Sequence, residues 1–221
     1  MKKFKKFIGE FVVLHLLDHE VLKGILIDVG SDLIVIFNGV DFVYLPFNHI
    51  DMIDFSNEEN EDIIFPKDVP IGEKEETLSL RKILNNARGI LSEVFISNDK
   101  SLHGYVSNVM NDYIVFATPV YKEVLIPLQH LKRLIPYHQN EKIYDLADGV
   151  FPLKPTIQSY ARTFEQQCKK YVNQLVVFDL ENSSHKIGKI TKVENSQIEC
   201  IIARNKTIYL NFNHVKSAHV P

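Results

Sequence analysis

Histidine can hold a metal, move a proton or touch a nucleic-acid base, and one phrase of this sequence presents it three times. "YLPFNHI", "IPLQHL" and "YLNFNHV" each join an apolar run to an amide side chain and an imidazole: Asn48-His49, Gln129-His130 and Asn213-His214. Recurrence favours a structural hydrogen-bonding corner, because a copied fold copies its structural residues as faithfully as its functional ones. A ligand or RNA contact is the alternative, and a metal would require the units to meet around an axis. His15 and His19 have the spacing of a zinc-binding helix but fall in a strand and a turn. Cys168 and Cys200 make no disulfide framework and have no neighbouring ligand at metal spacing, which points to a reducing compartment. No Gly-x-Ser-x-Gly, phosphate loop or dinucleotide fingerprint occurs. No catalytic, cofactor-binding or metal-binding residue is therefore expected, and no cofactor.

The elements that carry these corners repeat with them. Gly24, Gly104 and Gly188 each precede a valine at one fixed distance (Val29, Val109, Val193) and then the histidine. Before each glycine runs an alternating segment, "EFVVLHL", "SEVFISN" or "QLVVFDL"; after each valine comes "DLIVIF", "DYIVFA" or "QIECII". Period-two alternation with β-branched and aromatic residues marks half-buried strands. Leu17-Asp18-His19-Glu20, Asn98-Asp99-Lys100-Ser101 and Glu181-Asn182-Ser183-Ser184 suit hairpins. Gly30-Ser31-Asp32, Asn111-Asp112 and Asn195-Ser196 supply a second turn. The glycine inside the second strand predicts a bend or close backbone approach. The histidine phrase ends a fourth strand, and "IDMIDF", "LKRLIPY" and "VKSAHVP" supply a short fifth. Five short strands bury a core when their sheet curls and closes.

Two units carry a helix in front. "ETLSLRKILNNARG" places Leu78, Leu80, Ile83 and Leu84 at helical spacing, with a start at Thr77 and a stop at Gly89. "KPTIQSYARTFEQQCKKYVNQ" places Ile157, Tyr160, Ala161, Phe164 and Cys168 similarly, starting at Pro155-Thr156. The first unit offers only "KKFKKFIG", about one turn. The expected organisation is barrel 1 over 1–56, helix plus barrel 2 over 77–137, and helix plus barrel 3 over 155–221, with linkers 57–76 and 138–154.

The helix followed by five strands, with a glycine in a bent second strand, resembles the Sm-like fold. "IGEFVVLHLLDHEVLKGILIDV" is similar to the first Sm signature through Gly9, Leu14, Leu16, Gly24, Leu26 and Asp28. Asn108 and Lys192 replace that aspartate in the other units, and the Arg-Gly pair of the second signature is missing. "IYLNFNHVKSAHVP" resembles the end of the bacterial RNA chaperone Hfq, without its uridine-contacting Tyr-Lys-His run. "LSLRKILNNARG" and "HGYVSNVMNDYIVF" look like an uncharacterised Sm-like group from spore-forming Bacillus relatives, some labelled as spore-coat proteins. The resemblance implies a mainly β fold of three tandem Sm-like, SH3-type five-stranded small barrels, each preceded by a short helix.

Composition narrows the function. The chain has 221 residues, 45% hydrophobic and 24% charged, as in an ordinary globular protein. A net charge of −3 opposes non-specific coating of nucleic acid. No apolar run is long enough to span a bilayer, and Glu10 interrupts the segment after the basic start, so a cytoplasmic protein, or one built into spore layers, is expected. Over residues 7–55 the first unit is acidic: Glu10, Asp18, Glu20, Asp28, Asp32, Asp41, Asp51 and Asp54 against Lys23. The second leans basic and the third more so, with Lys186, Lys189, Lys192, Arg204, Lys206 and Lys216. Opposite fields on one chain favour head-to-tail docking. A non-enzymatic scaffold that meets protein partners, or itself, through strand edges is the first expectation. An RNA-binding protein using Lys186, Lys189, Lys192, Arg204 and a stacking Tyr209 is the second. A small-molecule or carbohydrate hydrolase is a third class with no motif behind it.

Overall fold

Apolar residues alternating along short segments bounded by turn residues produce strands throughout the computed structural model. It describes residues 2–55, 71, 78–97, 100–147, 151, 159–180 and 185–221. The first set of strands is β1 (Phe11–Leu16), β2 (Val21–Val29), β3 (Leu33–Phe37), β4 (Phe42–Pro46) and β5 (Ile50–Asp54). The second is β6 (Leu91–Phe95), β7 (Ser101–Val109), β8 (Tyr113–Thr118), β9 (Lys122–Pro127) and β10 (Arg133–Pro136). The third is β11 (Leu175–Phe178), β12 (Ile187–Glu194), β13 (Gln197–Ile202), β14 (Lys206–Asn211) and β15 (Ala218–His219). Helix α1 (Leu80–Asn86) precedes the second set and α2 (Phe164–Lys170) the third; a 3-10 helix, Lys2–Phe7, precedes the first. The protein is mainly β.

Contacts group the chain into two units. Residues 1–103 and 131–145 form one; residues 104–130 and 146–221 form the other. In the first unit, β1 pairs with β2 and β5, β2 with β3, and β3 with β4. β4 then pairs with β10, and β10 with β6. In the second unit, β7 pairs with β8, β8 with β9, and β9 with β15. β15 pairs with β11, followed by β12, β13 and β14. Every one of these ladders is antiparallel.

The expected closed barrels are corrected by this pairing. Among the described residues no ladder joins a fourth strand to the fifth strand of its own set. The free edge of β4 is satisfied by β10 and that of β9 by β15, so each of the first two sets continues into the next set's last strand and remains open. Hydrogen-bonding capacity at a strand edge is met either way.

The recurring glycine does what its position predicts. A Cβ at Gly24 or Gly104 would collide with the carbonyl oxygen of Phe37 or Ala117 on the neighbouring strand. At Gly188 it would lie 3.1 Å from the Cys200 Cβ. Just beyond each glycine the ladder slips by one residue, between Leu26 and Asp28, Val106 and Asn108, and Ile190 and Lys192. A bulge bends the strand and increases its twist. The first unit packs Val12, Leu14, Leu26, Ile34, Ile36, Val43 and Leu45 into one core, with Phe4, Phe7 and Phe55 against it. The second packs Val176, Phe178, Ile190, Ile198, Cys200 and Ala218 with Phe164 and Cys168 of α2.

Both helices start later than their spacing predicts. Ser79 caps α1 by accepting the Lys82 N–H, and Thr163 caps α2 by accepting the Gln166 N–H. Tyr160 and Ala161 precede α2 rather than lying in it. The Tyr113 hydroxyl donates to the Ala161 carbonyl at 2.7 Å, and the Ala161 N–H donates to Gln167 at 2.7 Å, so both backbone groups are taken outside a helix. Thr77, Pro155, Thr156 and Ile157 lie outside the described residues. So do Asn98-Asp99, turn residues 181–184, linker 57–76 except Ile71, and 148–150 and 152–154 of the second linker.

Candidate functional site

The three histidine corners are 3-10 turns, Phe47–His49, Leu128–His130 and Phe212–His214. Each is tied to the second hairpin turn of its set. The N–H groups of Phe47, Leu128 and Phe212 donate to the carbonyls of Asp32, Asp112 and Ser196 at 2.8–2.9 Å. At the first corner the Leu17 N–H donates to the His49 carbonyl, and the Asn48 amide lies 3.4 Å from the His49 Nε2. In the second unit the His130 Nε2 lies 2.9 Å from the Asn213 carbonyl, and the Gln129 amide donates to the same oxygen at 3.0 Å. Two corners therefore meet through Asn213, and His214 is exposed beside them. Burial lowers the His130 pKa, and the Asn213 hydrogen bond works in the opposite direction. Among the described residues no group of three or more His, Cys, Asp or Glu side chains could hold a metal ion.

The second hairpin turns also hold the helices. Asp32 accepts the Leu80 N–H and Asp112 the Phe164 N–H, each at 2.8 Å. Beside them the Ser31 N–H donates to Leu78 and the Asn111 N–H to Arg162. A turn of one set thus fixes the first turn of the next set's helix. This long-range cap was not legible in the sequence, where both aspartates read only as turn residues.

Two of the lysines named for nucleic-acid contact have carboxylate partners. Lys192 pairs with Glu194 and Lys186 with Asp179, each at 2.6 Å. Lys189 lies on β12 next to Gly188, and Arg204 occupies a left-handed position at φ 63 in the turn before β14. Tyr209 on β14 is 63% exposed. It borders a shallow recess whose other walls include Lys192, Glu194, Gln197 and Glu199, so carboxylates sit among the lysines. His15 lies on β1 and His19 in the following turn. Cys168 and Cys200 are buried and free. Burial raises both thiols, that of Cys200 to about 12, which keeps them unreactive.

The features that recur with most geometry are strand edges. Leu134 of β10 lies opposite Tyr44 of β4, and Ala218 of β15 opposite Leu125 of β9. All four residues are buried. The Tyr44 hydroxyl donates to the Ile71 carbonyl at 2.6 Å and accepts the Ile71 N–H at 3.1 Å, which satisfies it inside the first unit. Ion pairs reinforce β10. Lys132 meets Asp18, and Arg133 meets Glu20 at 2.6 Å while lying 3.7 Å above the Phe95 ring. Opposite charge on the first two sets was visible in the sequence; these partners were not.

Over its whole length, the chain is 35% identical to a curated protein of Bacillus subtilis (strain 168), "Uncharacterized protein YwrJ", across an alignment of 225 residues that covers 100% of both. The chain belongs to the YwrJ family. Residues 163–218 also match the family model described as the YwrJ third domain. That match runs from the Thr163 cap through β14 into β15, so the YwrJ third domain corresponds to α2 and the third set of strands. Among the described residues no helix is long and apolar enough to cross a membrane.

Proposed function

We propose that this YwrJ-family chain is a non-enzymatic assembly protein whose strand units, each an open relative of the Sm-like module, bind protein through their edges. One observation carries the reading: the chain twice joins one set to the next by edge pairing, β10 on β4 and β15 on β9. Strand addition draws affinity from main-chain hydrogen bonds and specificity from alternate side chains, so it needs no reactive group. The helix in front, the bulged second strand and the strand order 5-1-2-3-4 within the first and third sets support the Sm-like relationship. A coat or packaging layer is the cellular setting this reading favours, with assembly from the cytoplasm.

The exposed Tyr209 on a lysine-rich set favours RNA binding as the second reading. Fluorescence anisotropy with oligo-uridine and oligo-adenosine at low salt separates the two. The assembly reading expects no binding up to high micromolar protein. Salt-sensitive binding that weakens in Lys189→Ala and Tyr209→Ala overturns it in favour of RNA.

A further inference from the structure

Among the described residues two strand edges, those of β14 and β5, remain without a neighbouring strand, and they are of the same two kinds the chain has already joined. Leu134 and Ala218, the fifth-strand residues at the junctions, lie opposite Val94 of β6 and Phe178 of β11. Ile53 of β5 lies opposite Leu14 of β1 and is their counterpart. On the fourth strands, Tyr44 lies opposite Val35 and Leu125 opposite Val115. Tyr209, opposite Glu199, stands in the same place on β14. Tyr44 and Leu125 are covered by the next set's last strand and are 1% and 0% exposed; Tyr209 is bare at 63%. Among the described residues β14 pairs only with β13, and β5 only with β1.

We infer that β14 of one copy of the chain receives β5 of a second copy, antiparallel, with Tyr209 opposite Ile53. The inference rests on the assembly reading and names its partner. The same register sets Leu210 opposite Met52, itself 49% exposed, and Asn211 opposite Asp51. Charge favours this partner: Asp51 and Asp54 lie on β5, while Lys206 and Arg204 lie on and just before β14. Gln197 and Glu199 replace the buried Leu33 and Val35 of the first set and Tyr113 and Val115 of the second. The contact between copies is therefore wetter than the internal junctions, and its assembly is concentration-dependent. A contact that uses different patches on its two sides is heterologous, so each copy retains one edge of each kind unless the assembly closes.

The rival is a polar face that ends the array, as terminal repeats do. Sedimentation of the full chain over a wide concentration range distinguishes them. Mass is expected to rise above the 25.5 kDa of one chain, and Tyr209→Glu to weaken association by about tenfold or more. Cysteine cross-linking tests the register, since Cys168 and Cys200 are buried. A short bis-maleimide should join Tyr209→Cys to Ile53→Cys in a mixture and join neither variant to itself. Met52→Cys with Leu210→Cys repeats the test from an exposed position, and Val40→Cys, also exposed, should give no product with Tyr209→Cys. A strict monomer at every concentration overturns the inference, as does a Tyr209→Cys variant that cross-links to itself. Monomeric behaviour leaves the assembly reading to the oligonucleotide titration, so the two failures are told apart.

Discussion

Asp18 sits in the turn between β1 and β2 and meets the Lys132 ammonium. Partial burial opposes its charge, but the hydrogen bond and attraction from Lys132 outweigh it and hold the carboxyl below its ordinary value. A carboxyl depressed by folding contributes stability above its unfolded pKa and loses that contribution as pH falls through the folded value. Urea unfolding midpoints followed from pH 7 into the acid range should therefore fall, and fall less in Asp18→Asn. An equal fall in both proteins would show that the pair contributes nothing. His130 and His219 act in a higher window. Burial depresses both, so protonation below the ordinary imidazole range also destabilises the fold. Comparing variants at a fixed pH below that window isolates Asp18.

The second strand of each set combines a close approach with a bulge, and the glycines differ in how much room they leave. Gly104→Ala drives a methyl into the Ala117 carbonyl, which backbone alone must relieve, at a cost of about 2–3 kcal/mol. Gly188→Ala meets the Cys200 Cβ and the Ile201 carbonyl oxygen at 3.1 Å, a tight approach rather than a collision, and should cost less. Chemical denaturation of both variants checks the order; equal losses would refute the steric account. Asp112→Ala removes the carboxylate that accepts the Phe164 N–H and should cost about 1 kcal/mol, with helical circular dichroism reduced. Strands, bends and hairpins were legible because alternation and turn chemistry are local. The start of α2 was not, because Tyr113 and Gln167 claim the backbone of Ala161 from outside the helix. Closure into barrels was misread for a related reason. A strand's pattern shows which face is buried and is silent about which strand its edge will choose.

For the whole chain, the division of labour is between edges already taken and edges still open. Hydrogen exchange reads it directly. Amides of β4 and β9 have neighbours on both sides and should be protected at all concentrations. Outward amides of β14 should exchange rapidly in dilute solution and slow as protein concentration rises. No concentration dependence would count against pairing between copies. The opposed charges of the first and third sets were readable from the sequence and suggested docking. The register was hidden there, because Ile53, Leu134 and Ala218 become comparable only once their ladders are known.

The lending of β10 and β15 to the preceding sets also imposes an order on synthesis. β4 must wait for Arg133–Pro136 to leave the ribosome before its apolar edge is covered, and β9 must wait for Ala218–His219. During translation the nascent chain carries a bare, sticky strand margin for as long as the next set takes to emerge. A stalled ribosome would leave that margin to chaperones.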